Sequence, residues 1–270
     1  MRVILLWTYL PGGRASSDLR LARFKRVLLA AQQAPRYRLL LSEIGLSTPE
    51  AVSSVESVEH ILRRLSPIDM EEFRGTLSEF ENTSGMRPVL ESFHAPFSRT
   101  QQTSKTAMLH PGFAAARGVK VLKGPWPEEL GHFTATALAA PVQLLREIAS
   151  AVERGYHQLH PLEHFIVPFT GHQAGELTDE DREQFWRVFK VPVFEQRLGF
   201  DGRVIAHECE VHHGLHITGD RALFELHTDS ELLLTSLTDL NNPTVDTGTQ
   251  AARAVNVEIS NHGCCFRGYD

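Results

Sequence analysis

The 270-residue sequence has no G-x-x-x-x-G-K-[ST] and no G-x-G-x-x-G, so neither a P-loop nor a Rossmann dinucleotide site is expected. The absence of G-x-S-x-G removes the nucleophile-elbow hydrolases. Cysteine is scarce, with only Cys209, Cys264 and Cys265. That odd, sparse count argues against a disulfide framework and fits a reducing cytoplasm. Apolar runs such as Val3–Trp7 and Val27–Ala31 fall far short of the roughly 18 residues that a membrane helix needs. The N-terminus carries no signal-peptide cleavage pattern, so a cytoplasmic protein without a membrane partner is expected. Basic excess is lacking too: 33 acids face 27 Lys plus Arg, for a net charge of −6. The Arg20–Arg26 segment is too short a basic stretch for a duplex-binding stripe, which disfavours nucleic acid as a partner.

What remains is a chain with 42% hydrophobic residues, enough for a buried core in one or two domains. The opening reads as helices. Leu19, Leu21, Ala22, Phe24, Val27 and Leu28 follow Ser17 at helical spacing up to Pro35, and a second short helix should end at Gly45. Thr48-Pro49-Glu50 signals the start of a helix carrying Val52, Val55, Ile61, Leu62 and Leu65, with Pro at its first position. Ser66-Pro67 opens another, through Met70, Phe73 and Leu77. From 82 to 135 loops are expected, with Val119–Leu122 as one strand. A helix over Pro141–Arg154 follows, then a strand over His164–Phe169. Thr178 caps a helix running to Phe189, and Val191–Gln196 is the next strand. Strand, capped helix and strand make a βαβ unit. Val204–Val211, Leu223–Leu226, Glu231–Leu237 and Ala254–Ile259 make the end β-rich. The fold class is α/β: a helical N-terminal segment over 1–80, then a core over 81–270 with a mixed sheet, a βαβ unit and a β-rich C-terminal part.

Six of the 14 histidines (His207, His212, His213, His216, His227 and His262) crowd the last quarter of the chain with all three cysteines. His207-Glu208-Cys209-Glu210-Val211-His212 looks like a zinc-protease helix, but the position four after His207 is Val211, so two imidazoles cannot share a helical face. A zinc hydrolase using His207, Glu208 and His212 or His213 is therefore disfavoured. Two readings of the cysteines stay open. Cys209, His216, Cys264 and Cys265 could supply the four N/S ligands of a structural zinc; alternatively Cys209 is a buried strand residue and the consecutive Cys264 and Cys265 belong to a tail.

Several stretches in order resemble the phenylacetate-CoA ligase-like group of the adenylate-forming superfamily. These are Ala174-Gly175-Glu176-Leu177-Thr178-Asp179-Glu180, Val191-Pro192-Val193-Phe194-Glu195, Ile205-Ala206-His207-Glu208-Cys209-Glu210 and Gly214-Leu215-His216-Ile217. Leu21–Tyr37 is similar to that group's N-terminal helix, Leu138–Leu145 to its helix before the β-strand, Glu231–Leu237 to its strand near the nucleotide site, and Gly263–Gly268 to its Cys-x-Cys-Gly-Arg element. The resemblance implies a truncated N-terminal domain of an adenylate-forming enzyme. In such an enzyme a carboxylate reacts with MgATP to give an acyl adenylate, and the acyl group then passes to coenzyme A. It also implies a zinc held by Cys209, His216, Cys264 and Cys265.

The family's nucleotide motifs are reduced in this sequence. The phosphate loop falls on Thr83-Ser84-Gly85, shortened and with fewer glycines, so that fewer backbone N–H groups are free to approach a triphosphate. Gly175-Glu176 matches the adenine-side loop. Tyr-Gly-x-Thr-Glu falls on Arg197-Leu198-Gly199-Phe200-Asp201, leaving Asp201 as the Mg²⁺ candidate. Thr-Gly-Asp falls on Thr247-Gly248-Thr249, a hydroxyl in place of the ribose-binding carboxylate. The chain stops where the Lys-bearing C-terminal domain should begin. The expectation is a degenerate, non-catalytic or partner-dependent homologue with structural zinc, working with a protein partner or as a homodimer. The alternative is an active carboxylate-CoA ligase, binding MgATP and a small carboxylic acid, that is completed by a separate chain.

Overall fold

A computed structural model of the chain describes residues 3–5, 14–66, 68, 75–80, 90–93, 95–96, 104–171, 174–199, 202–210, 215–217, 221–228, 231–237 and 247–250. The chain divides into two compact units: Met1–Arg87 with Ile217–Val257, and Pro88–His216 with Glu258–Asp270.

The first unit opens with β1 (Val3–Leu5) and α1 (Arg14–Ala31). Phe24, Val27, Leu28 and Ala31 are fully buried, an i, i+3, i+4, i+7 stripe that turns one helical face inward. The helix begins at Arg14, three residues before Ser17. Pro35 then starts α2 (Pro35–Glu43), where its missing N–H costs nothing, and Gly45 ends it with φ +79°. The single helix expected from Thr48 is two: α3 (Pro49–Ser53), capped by the Thr48 side chain, and α4 (Val58–Leu62). The break has a local cause, because the Ser57 hydroxyl accepts from the His60 N–H and starts a new helix there. The helix expected from Ser66-Pro67 lies largely outside the described residues; α5 (Leu77–Phe80) follows, and Phe80 packs edge-on against Tyr37 at 5.1 Å. Side chains also satisfy loop carbonyls here: Gln32 Nε2 donates to Leu46 O at 2.8 Å, Lys25 Nζ to Ser53 O at 2.6 Å and Arg64 Nη2 to Ile44 O at 2.6 Å.

The second unit is built on a parallel sheet. In chain order it contains β2 (Thr106–Met108), β3 (Val119–Val121), α6 (Trp126–His132), β4 (Ala137–Pro141), α7 (Val142–Glu153), β5 (Phe165–Thr170), α8 (Asp179–Phe189), β6 (Gln196–Leu198), β7 (Val204–Glu208) and β8 (Leu215–Ile217). The strands lie in the order β3-β2-β4-β5-β6-β7-β8. The first five of these are parallel, and β7 returns antiparallel to β6. All six residues of β5 are buried, the mark of a central strand covered on both faces. Ala107, Leu138, Ala140 and Ile166 face α7 and α8, packing with Leu145, Ile148, Phe185 and Phe189. Met108, Ala137, Ala139, Phe165, Val167 and Phe169 face the other way, with Phe93, Phe113 and Phe194.

Three expectations change in this unit. The segment read as loops with one strand also holds β2, a three-residue element too short to show a period, and α6, whose Trp-Pro-Glu-Glu-Leu-Gly-His sequence carries two helix breakers. The helix expected over Pro141–Arg154 forms as α7, but Leu138–Pro141, which the resemblance assigns to a helix over Leu138–Leu145, belongs to strand β4. The strand expected over Val191–Gln196 regularises at Gln196. Before it the chain runs beside β5 through a single bridge, with Ile166 N–H donating to Pro192 O and Phe194 N–H to Ile166 O. Pro192 has no N–H to extend that ladder.

The remaining strands are β9 (Ala222–Thr228), β10 (Glu231–Ser236) and β11 (Thr247–Gln250). They form an antiparallel sheet in the order β1-β9-β10-β11. The strand expected over Ala254–Ile259 lies outside the described residues.

Gly171 has φ +119°, and a Cβ there would stand 2.5 Å from Leu198 O. Gly45, also left-handed, has open space around it. Gly45→Ala is expected to cost about 1 kcal/mol from backbone strain alone, whereas Gly171→Ala should cost more than about 2 kcal/mol because β5 must part from β6. Urea midpoints of the two variants check the order, and equal losses would contradict it.

Candidate functional site

In open parallel sheets, ligands bind beyond the carboxyl ends of the strands. Here that edge is formed by His110 after β2, Pro141 at the end of β4, Thr170 and Gly171 at the end of β5, and Leu198 at the end of β6.

The loop after β5 is fixed from several directions. Gly171 and Gly175 pair across it, with the Gly171 N–H donating to Gly175 O and the Gly175 N–H to Gly171 O, both at 2.9 Å. Gly175 adopts φ +85°, and a Cβ there would meet the Gln143 side chain at 3.1 Å, so glycine suits both the turn and the close approach. Next comes the start of α8. The Thr178 hydroxyl accepts from the Asp181 N–H at 3.0 Å and the Asp181 carboxylate accepts from the Thr178 N–H at 2.6 Å, a reciprocal capping box. Arg146 on α7 completes the clamp. Its Nε and Nη2 hold Asp181 at 2.6 and 2.7 Å, and Nη2 also donates to Glu176 O at 2.7 Å. Burial alone would raise the Asp181 carboxyl, but the hydrogen bonds from Arg146 and Thr178 together outweigh it and hold the group below its usual range.

The Glu176 side chain reaches across to β6. Arg197 Nη1 and Nη2 each donate to one of its oxygens at 2.9 Å, a two-pronged guanidinium–carboxylate pair.

Beneath this pair lies a second cluster. Arg182 on α8 donates from Nη2 to Glu195 Oε2 at 3.2 Å and from Nη1 to Glu208 Oε2 at 3.1 Å. The Thr170 hydroxyl donates to Glu195 Oε1 at 2.7 Å, and the Glu195 N–H donates to Glu208 Oε2 at 2.9 Å. A buried carboxylate, Glu208, and a half-buried one, Glu195, thus share one guanidinium. Burial pushes the Glu195 carboxyl above the ordinary carboxylate range, Glu208 adds to the rise, and Thr170, Arg182 and Arg197 oppose it.

On the opposite sheet face His110 packs edge-on against Phe113 and Phe169, with centroids at 5.4 and 5.6 Å, while Phe113 stacks on Phe169 at 4.7 Å. Its Nδ1 accepts from the Gly112 N–H at 3.1 Å, and burial lowers its pKa. Sequence points to neither His110 nor the pairing of Glu195 with Arg182, and it brings in Glu208 only through the disfavoured zinc-hydrolase reading. A signal existed for one of them: Glu195 is an acid closing the apolar run Val191–Phe194.

Of the residues expected from sequence, Glu176 pairs with Arg197 and Gly175 pairs with Gly171. Thr249 lies in β11 of the first unit, opposite Leu232. Thr83, Ser84, Gly85 and Asp201 lie outside the described residues. Of the zinc candidates, Cys209 follows β7 as a half-buried thiol and His216 lies in β8, the neighbouring strand, while Cys264 and Cys265 lie outside the described residues. Among the described residues no group of three or more His, Cys, Asp or Glu is placed to hold a metal ion. His207 and Glu208 sit in strand β7, with Glu208 committed to Arg182 and the Glu195 N–H. The first unit has a cleft of about 540 Å³, lined by Ile44, Leu46, Val55 and Ile61 with Glu56, His60 and Arg64, and it contains none of the residues proposed from sequence. No helix among the described residues is long and apolar enough to cross a membrane.

No protein-family model matches the chain, and no curated protein does. Solved structures do. 2-Hydroxyisobutyryl-CoA ligase in the postadenylation state, in complex with 2-HIB-AMP, matches with a TM-score of 0.53 at 14% identity, over 91% of this chain and 69% of that one. The same enzyme in an open conformation with 2-HIB-AMP and CoA matches with a TM-score of 0.51 at 12% identity, over 91% and 71%. The α/β fold is therefore similar to that of an adenylate-forming acyl-CoA ligase.

The Glu195 carboxyl, being raised in the folded state, keeps a proton to higher pH than it does unfolded. Its contribution to stability is therefore full below the ordinary carboxylate value and is lost as pH rises to the raised one. Wild type is expected to gain stability relative to Glu195→Gln when pH is lowered from about 7.5 to about 5. Urea unfolding at both pH values checks this, and parallel pH dependence in the two proteins would contradict it.

Proposed function

We propose that this chain is a homologue of the phenylacetate-CoA ligase-like group that holds a small ligand at the carboxyl edge of its sheet without forming an acyl adenylate by itself. The observation that carries this reading is the Arg197–Glu176 pair. Glu176 belongs to the loop matching the family's adenine side, and Arg197 stands where the family motif has tyrosine. An aromatic ring would offer a nucleobase an uncharged face, an interaction worth about 1–3 kcal/mol per base. Arg197 is instead bound to Glu176, and both charges would have to be separated before a base could enter. The substitutions at Thr249 and in the Tyr-Gly-x-Thr-Glu segment add to this, since each contact missing from a phosphoryl-transfer site typically costs on the order of 2–4 kcal/mol of barrier.

A structural zinc held by Cys209, His216, Cys264 and Cys265 is part of the same proposal. Its support is that Cys209 directly follows β7 and His216 lies in β8, the neighbouring strand of one sheet. Those residues would hold the metal as a staple, and no chemistry is routed through it. Metal analysis of purified protein, compared with Cys209→Ser, tests it.

Calorimetric titration with MgATP tests the central reading. Wild type is expected to give no magnesium-dependent heat at millimolar nucleotide, and Arg197→Tyr to acquire weak binding. Tight, magnesium-dependent binding by wild type would overturn the reading in favour of a ligase completed by a separate chain. Such a ligase should release pyrophosphate once its carboxylic acid and partner are supplied.

A further inference from the structure

Three arginines bind acids around the carboxyl edge of the parallel sheet, and they differ in how firmly the acid is held. Asp181, on Arg146, keeps a side-chain exposure of 10% and is also tied by the capping box. Glu208 and Glu195, on Arg182, keep 5% and 13% and take further hydrogen bonds from the Glu195 N–H and from Thr170. The acids on both arginines are thus held by bonds besides the ion pair itself. Glu176 is different. Its carboxylate is 41% exposed, while Arg197, which it covers, is only 19% exposed.

The backbone beneath Glu176 does not depend on that carboxylate. The Gly171–Gly175 pairing, the Arg146 bond to Glu176 O and the capping box hold the loop by themselves. The side chain can therefore swing into water while the loop stays. What it leaves behind is a guanidinium fork that was receiving two coplanar oxygens at 2.9 Å each. A planar carboxylate fits that fork, and a point contact does not use it fully.

We infer that Arg197 is an anion-recognition residue, and that Glu176 is a resident stand-in which the carboxylate of an incoming small organic acid displaces. The inference rests on the reading of the sheet edge as a ligand site and adds to it the residue that selects the ligand and the internal group that competes with it. Exchange trades one partly exposed ion pair for another of the same chemistry, so it is near neutral in pair energy, and the incoming acid must in addition offset its own association entropy. Glu176 thus sets a threshold that weakly held or dilute anions do not pass.

The test uses the full chain and acetate as probe, at fixed ionic strength, read by calorimetry and by the arginine side-chain N–H signals in NMR. Inorganic phosphate serves as the comparison anion. Removing the competitor with Glu176→Gln is expected to tighten acetate binding by roughly two- to five-fold, the worth of a partly exposed pair. Arg197→Lys, which keeps the charge and loses the fork, is expected to weaken it several-fold while circular dichroism confirms the fold. Acetate should be preferred to phosphate. An acetate affinity unchanged in both variants, or phosphate bound more tightly than acetate, would overturn the inference. The two readings fail separately: MgATP bound tightly by wild type removes the earlier one, and an acetate series insensitive to Glu176 and Arg197 removes this one.

Discussion

The arrangement at the sheet edge depends on Arg146 and its grip on the first turn of α8. An isolated capping box fixes where a helix starts but not where that start lies relative to a neighbouring helix. Arg146 supplies the second condition, because it binds Asp181 inside the box and the carbonyl of Glu176 outside it. Helix α7 is itself seated by Val142, Leu145 and Ile148 against the sheet, so the hydrophobic packing of one helix positions the loop that precedes the next. Burial, capping and ion pairing act in series, and residues 174–178 inherit their geometry from all three.

The second cluster has a different physical character. Glu195 and Glu208 divide one guanidinium between them in a buried setting, where replacing ionic groups with apolar ones is often neutral or stabilising. Its effect is one of registration. Thr170 at the end of β5, Glu195 before β6, Glu208 at the end of β7 and Arg182 on α8 can satisfy one another in only one relative placement. Strands as short as β6, with three residues, have little side-chain pattern to resist a slip. Polar partners at their ends supply what the pattern lacks.

Much of this was legible in the sequence, and the reasons for success and failure are physical. Thr178 with its acidic first turn, the buried run of β5 and the helix α7 are signalled by residues whose meaning is local or strictly periodic, and they form as expected. The α/β class followed from the βαβ spacing, and the solved structures share it. Strands β2 and β4 were not legible. Three or five residues with Ala at their centre show neither alternation nor strong β-branching, and only the neighbouring strands make them strands. The split between α3 and α4 was written in Ser57, a capping residue hidden inside an apparently continuous helical pattern. At the site, sequence drew attention to Gly175 and Glu176 through a motif, but the partner of Glu176 lies 21 residues away on another element. A long-range ion pair has no sequence period.

His110 carries a consequence of its own. The Gly112 N–H occupies Nδ1, and burial keeps the imidazole neutral, so its one ring proton must sit on Nε2. This fixes the tautomer from behind, through backbone, in the manner that second partners fix histidines elsewhere. The ring can therefore offer a hydrogen but cannot take one without giving up the turn at Gly112. His110 is thus a directional hydrogen-bond donor without charge, its orientation decided by a glycine two residues along the chain.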